Sequence, residues 1–535
     1  MTEERIQPEA AQPHRPDRRN LFRLLLPALA LLLLLGLLAW AHVAARDTPE
    51  LLAPTVSGSA WPGGGRLFVN SLLLAGMSAL IAAALGLAAG VYLGRKPTSP
   101  FACLALAPLF FPPHLAAYVW RFTLEDLARL IVPTAGLWRT GLTRLLGGGW
   151  TLGALLWPIP AFAVALALHL RGNRLEEELA TLAPPGAVFR RAVLPALLPA
   201  LLAGSGVVFL LALADYGIPL MWNIPAQNVA AFARLAAFYE PGRALILSLP
   251  LLGTAVIGCG AGLLLMRRHG RSDVIPPRPQ SVLRPGRAAT IAFGLVLLLT
   301  VAMPLGSLIT SRGVLSEVRK SFLAGFEPCG WGMAIAALGA TGAVLLAVSL
   351  ALLCRRRRLL AWAVEFAGLT LLFMPATLLC IAAVQLRPLS PWIAAVYDSL
   401  WIFFIAYALR LFYLPWKLAR LAQNTESAAH RDMERLLGLG RFTRLRLALG
   451  GILRPAVFGG WLIVFAFALG EVEIASFLVQ PGRQPISVFL DNLMHYGRST
   501  TVIQWALLML AAEILVARLL LKTGVPAWRR LRVTT

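Results

Sequence analysis

Apolar stretches of membrane-spanning length recur along the whole chain, and they decide what it can become. A helix that crosses a bilayer needs roughly 20 mostly apolar residues. Twelve stretches qualify: 21–45, 67–94, 101–122, 151–170, 196–217, 244–266, 288–310, 331–354, 360–384, 396–416, 453–479 and 502–521. Soluble domains are roughly 45–50% apolar; this chain is 58% hydrophobic with a mean hydropathy of +0.73. Within lipid, backbone polar groups must be satisfied inside the segment, so such runs demand helices. The expected fold class is an all-α integral membrane protein of about twelve transmembrane helices. The stretch 21–45 has the basic start and small-residue exit of a secretory leader. Its apolar core is too long for a typical cleaved one, so an uncleaved anchor is expected.

The net charge of +24 would suggest nucleic acid in a soluble protein. Here the basic residues flank apolar stretches, where lipid head groups and topology call for them. No nucleic-acid partner is expected, and membrane lipid is. Lys and Arg gather in alternate connections, as at Arg95-Lys96, around 174–195, in 267–287, at Arg355–Arg358 and before 453. That bias puts both termini and the central linker in the cytoplasm. The five cysteines show no CxxC or Cys/His spacing, so they read as core residues and neither a metal site nor a disulfide framework is expected.

The chain reads as a duplication. At an offset of 256 positions Asp215 meets Glu471, Gly204 meets Gly460, Pro199 meets Pro455 and Pro225 meets Pro481. Phe111-Pro112-Pro113 in the third stretch answers Phe373-Met374-Pro375 in the ninth. An even number of crossings per copy makes the repeats parallel. The expected division is 1–267 and 288–535 as two six-helix repeats, joined by a Pro- and Arg-rich cytoplasmic linker at 268–287.

Two polar islands interrupt the oily pattern. Residues 174–195 read as helix, Pro184-Pro185-Gly186 break, helix, with Arg190 and Arg191 on the second piece. A related island runs from Asp432 to Gly451. Both fall on the predicted cytoplasmic face, each just before an apolar stretch.

With these islands the chain resembles the permease subunits of binding-protein-dependent ABC importers. Their cytoplasmic loop carries Glu-Ala-Ala, three residues, Gly, about a dozen more, then Leu-Pro. Glu178-Leu179-Ala180, Gly186 and Leu194-Pro195 match in the first island, with one Ala replaced and two residues missing. Asp432-Met433-Glu434 and Gly438 match in the second, where Gly450-Gly451 replaces Leu-Pro. The closest form is the fused ferric-iron or thiamine type, which also has counterparts of Leu213-Ala-Asp215-Tyr216-Gly217 and Ala468-Leu-Gly-Glu471. The resemblance implies the type I importer permease fold in a bacterial inner (plasma) membrane. It implies a transport permease and not an enzyme. It implies two coupling helices, at Glu178, Ala180, Gly186 and Pro195 and at Asp432, Glu434 and Gly438, seated on an ABC ATPase dimer. The glycine would permit a sharp turn. It also implies a separate periplasmic or extracellular substrate-binding protein. No Gly-x-x-x-x-Gly-Lys-Ser/Thr loop occurs, so ATP would be used by the partner and no cofactor bound by this chain. Iron(III) is the leading substrate, with thiamine, polyamine or an oxyanion open. The competing class is a proton-coupled twelve-helix carrier, for which Gly90–Lys96 is a faint echo of the expected loop.

The candidate path residues are Asp215, Tyr216, Glu471 and His114. Asp215 lies roughly 24 Å along a helix past Pro199, at a depth where ionisable groups face the interior or water. The pair reads either as carboxylates near an outer gate for a cationic substrate or as helix-end carboxylates capped by loop amides. His114 reads as path-lining or as a core histidine. Glu473 reads as interfacial, and Glu365 as paired with the Arg355–Arg358 run. Gly86, Gly90, Gly258 and Gly262 read as small-residue packing faces.

Overall fold

The computed structural model describes residues 64–96, 99–131, 141–171, 181, 183–269, 286–311, 313–355, 357–424, 453–496 and 499–533. Among these every regular element is helical, as expected of an all-α membrane protein. The stretch 21–45, most of the 268–287 linker and the island residues Glu178, Ala180, Asp432, Glu434 and Gly438 lie outside the described residues.

Six helices are long and apolar enough to cross a bilayer singly: Gly65–Arg95, Gly186–Ala214, Pro241–Leu265, Arg287–Ile309, Val318–Cys354 and Thr500–Lys522. Four bent helix pairs would each add a crossing if the pair forms one span, so the described residues supply six to ten helical segments of crossing length. Ala102–Phe110 meets Pro113–Leu127 at 104°, and Arg358–Phe373 meets Ala376–Leu389 at 95°. Proline explains both bends. It cannot donate a backbone hydrogen bond, and it drives the preceding residue out of helical geometry. Phe111 (ψ 129°) and Met374 (ψ 151°) are extended just before Pro112 and Pro375. The stretch 453–479 yields a shorter apolar helix, Val457–Leu469. The chain leaves helix at Gly470 and restarts at Glu473–Leu478.

Small residues set the closest packing. A Cβ on Gly90 would lie 2.7 Å from the Ala161 carbonyl, and one on Gly204 would lie 2.6 Å from Pro160 Cα. Gly460 makes the matching approach, with Pro415 Cβ at 2.6 Å. Gly86 and Gly258 are also tight, against Pro160 and Leu210, but Gly262 has nothing within 4 Å and is not a packing glycine. Side chains such as Leu80, Ile257 and Leu515 point outward, 58–72% exposed, as a lipid-facing surface requires.

The two parts of the chain are interleaved. Pro241–His269 packs on Arg358–Phe373 and Ala376–Leu386, while Thr500–Val533 packs on Ala102–Phe110. Leu210, Ala255, Cys259 and Phe373 form one buried cluster, and Phe110, Ala466 and Ala517 form its counterpart. Each joins residues from both parts of the chain.

The described end of the first island is a helical turn, Pro185–Val188, running through a π-helical turn, Phe189–Val193, into Leu194–Ala214. Arg190 and Arg191 are exposed. Pro195 sits in the first turn of its helix, where its missing N–H costs nothing. Gly186 does not make the sharp turn expected of it. It lies within the helical turn, with nothing within 4 Å of where a Cβ would be.

Candidate functional site at the paired breaks

The two proline breaks meet two carboxylate turns at the junction between the parts of the chain. Asp215 follows the helix Leu194–Ala214 with extended backbone, and its Oδ2 accepts the Ile218 N–H at 2.9 Å. Glu471 follows Arg454–Leu469, and its Oε2 accepts the Ile474 N–H, also at 2.9 Å. Both carboxylates therefore cap the short helix that follows, three residues on, where the unpaired N–H groups of a first turn favour an acceptor. Capping and a path role are compatible, because each carboxylate keeps a second oxygen. Tyr407, fully buried, adds its hydroxyl to Glu471 Oε2 at 3.4 Å.

The break at Pro375 is tied down by a buried polar chain. Glu473 Oε1 accepts the Thr377 N–H at 2.6 Å and the Thr377 hydroxyl. That hydroxyl also lies 3.4 Å from Asn228 Oδ1, and Asn228 Nδ2 donates to the Ala214 carbonyl at 2.6 Å. The chain thus runs from the residue before Asp215 to Glu473. Glu473 is 4% exposed and Asn228 1%, so Glu473 is enclosed by protein. Its partner Thr377 is 96 positions away. Arg410 donates to the Met374 carbonyl freed by the break, at 3.2 Å, and acts electrostatically on Asp215, Glu471 and Glu473.

The break at Pro112 has the same backbone and different chemistry. His114 follows Pro112 as Thr377 follows Pro375, and Gly217 follows Asp215 as Glu473 follows Glu471. The acid of one side is absent from the other. His114 is 3% exposed, packs over Gly217, and its Nε2 has no hydrogen-bond partner among the described residues. Pro112 itself rests on Gly470, where a Cβ would fall 2.9 Å from its Cγ. Tyr216 is buried and stacks on Phe232 at 4.3 Å, which in turn meets Phe477 edge-on at 4.9 Å. These rings close the apolar side of the junction.

All four sequence-derived path residues therefore converge on one region. Glu473, Thr377, Asn228, Tyr407 and Arg410 join them and were not singled out by the sequence. Glu365 is elsewhere. It pairs with Lys417. Among the described residues no group of three or more His, Cys, Asp and Glu side chains is placed to hold a metal ion. A cavity of about 40 Å³ between Trp120, Thr300, Pro304 and Leu510 is mainly apolar and lined by none of these carboxylates.

Comparison with protein-family models, with curated proteins and with solved structures found no match.

Proposed function

We propose that this chain is the membrane permease of an ATP-driven, binding-protein-dependent importer, and that its substrate passes the junction of the two proline breaks. The observation that carries the reading is the pair of capped carboxylates, Asp215 and Glu471, at the junction with the two proline-broken helices. A fixed break at membrane depth lines a path without exposing unsatisfied backbone to lipid. In this reading residues 1–267 and 288–535 are six-helix repeats joined by a linker at 268–287. The islands are the grips of a separate ATPase dimer on the cytoplasmic face, and a separate binding protein delivers substrate from outside. When the ATPase dimer closes, the islands approach, the two interleaved parts tilt, and the junction opens to alternate sides.

The site's charge favours a cationic substrate. Asp215, Glu471 and Glu473 face one cation, Arg410, which is already engaged by the Met374 carbonyl. Carboxylate oxygens suit hard cations, and iron(III) remains the first candidate, with thiamine and polyamine next.

The test is uptake into vesicles that hold the permease with its ATPase and binding protein. ATP-driven uptake should survive collapse of the proton gradient. It should fall at least tenfold in Asp215→Asn with Glu471→Gln, while ATPase assembly is kept. Assembly should fail when Glu178→Lys and Asp432→Lys are combined. Unchanged uptake in the first double variant would return the carboxylates to a purely capping role. Uptake that follows the proton gradient and ignores ATP would overturn the importer reading.

A further inference from the structure

One ionisable side chain within the spans is used by none of this. Glu513 lies in the helix Thr500–Val533, roughly 20 Å along the axis from Thr500 at 1.5 Å per residue. It is 8% exposed, and its Oε2 is fully buried with no hydrogen-bond partner among the described residues. It faces the seam where this helix packs on Ala102–Phe110 and Arg454–Leu469. One turn later, Ala517 is buried there against Phe110 and Ala466.

The charged groups of the surrounding elements do not neutralise it. Ala102–Phe110 has only Cys103 as a titratable group, and Met303–Ile309 has none. Arg454–Leu469 has only Arg454, at its start. Val318–Cys354 carries Arg319, Lys320 and Glu327 near its own start, and Ile486–Met494 carries Asp491, which pairs with His495. On its own helix Arg518 and Lys522 follow. None of them forms an ion pair with Glu513. A bare carboxylate buried without a donor is far costlier than a neutral acid in the same place.

We propose that Glu513 is a proton-binding site. Its carboxyl holds a proton while Thr500–Val533 is packed on Ala102–Phe110. It gives that proton to water when the two helices part. Because this seam joins the two parts of the chain, proton release is linked to their relative movement. The inference rests on the seam and not on the transport reading, and holds whatever powers substrate movement.

The first measurement compares the thermal stability of the full-length protein in detergent with that of Glu513→Gln, a neutral isostere of the protonated acid. The carboxylates common to both proteins cancel in the difference. The gap should be smallest at about pH 4, near the ordinary glutamate value of about 4.3, where free carboxyls take up protons. By about pH 9 Glu513→Gln should be the more stable by several degrees, because only the wild type loses a proton on unfolding. A gap that stays the same across that range overturns the proposal. The second measurement is labelling of the reconstituted wild type with a hydrophobic carbodiimide, mapped by mass spectrometry. The reagent needs a protonated carboxyl, whose O–H adds across its C=N bond to give an O-acylisourea that rearranges, by shift of the acyl group from oxygen to nitrogen, to a stable N-acylurea. Label at Glu513 at about pH 8, with the exposed carboxyl of Asp398 unlabelled, supports the site. Label at Asp398 but not at Glu513 contradicts it.

Discussion

The two proline breaks have nearly the same backbone and opposite polar chemistry. At Pro375 the buried acid Glu473 receives two donors from Thr377, whose hydroxyl lies 3.4 Å from Asn228 of the other part of the chain. At Pro112 the acid is replaced by Gly217, and His114 lies over it with Nε2 unpartnered. The difference teaches that one break is locked and the other is free to change partners. A buried carboxylate with well-placed donors resists movement, because losing them leaves an uncompensated polar group. A histidine packed over a glycine has no such bond to lose. The locked side is the one expected to stay rigid as the other moves.

The largest test of that contrast is Thr377→Val, which removes the hydroxyl partner of Glu473. It should cost about 3 kcal/mol of stability, measured by unfolding in detergent, with His114→Ala costing clearly less. Equal costs would erase the distinction between the breaks. Next come Gly204→Ala and Gly460→Ala, each forcing a methyl against a proline of a neighbouring helix. Each should cost about 2 kcal/mol. Similar values would strengthen the match between the two parts of the chain, and a tolerant Gly460 would weaken it. Gly217→Ala should change stability by less than about 0.5 kcal/mol, since its nearest neighbour atom is His114 Cβ at 3.6 Å. A large loss there would mean that the Pro112 side is as tightly built as its counterpart.

The smallest effect lies outside the spans. The Asp491 carboxylate, 3.8 Å from His495, raises the histidine above its ordinary range. Its contribution is therefore full below the ordinary histidine value of about 6.5 and is lost as pH rises through the raised one. Half-exposed and screened, it should be worth less than about 0.5 kcal/mol. A Tm difference between wild type and His495→Gln that shrinks with rising pH checks the sign.

Much of this frame was legible in the chain itself. The proline motifs at Pro112 and Pro375 stood out in the sequence, and the 256-position register paired Asp215 with Glu471, because proline chemistry and helix-end capping are local. The bends of 104° and 95° were not legible. A proline inside an apolar run reads as a kink in one span until packing shows that the helix turns away. The partners of Glu473 and Glu365 were not legible either, because Thr377 and Lys417 are 96 and 52 positions distant. Glu513 escaped notice because a single acid in an oily run gives no periodic signal. Its burial becomes visible only against Ala102–Phe110, which belongs to the opposite part of the chain.

The account's central claim is that Asp215 and Glu471 border a common path between the two parts. It is tested most directly by placing Asp215→Cys and Glu471→Cys, one at a time, in a background with the five native cysteines replaced. The reconstituted protein, assembled with its ATPase and binding protein, is then treated with a small cationic, membrane-impermeant thiol reagent. Both positions should react, and both rates should change together when ATP is supplied. Contradiction would be a pair of cysteines that stay unreactive with and without ATP, or one that responds while the other does not.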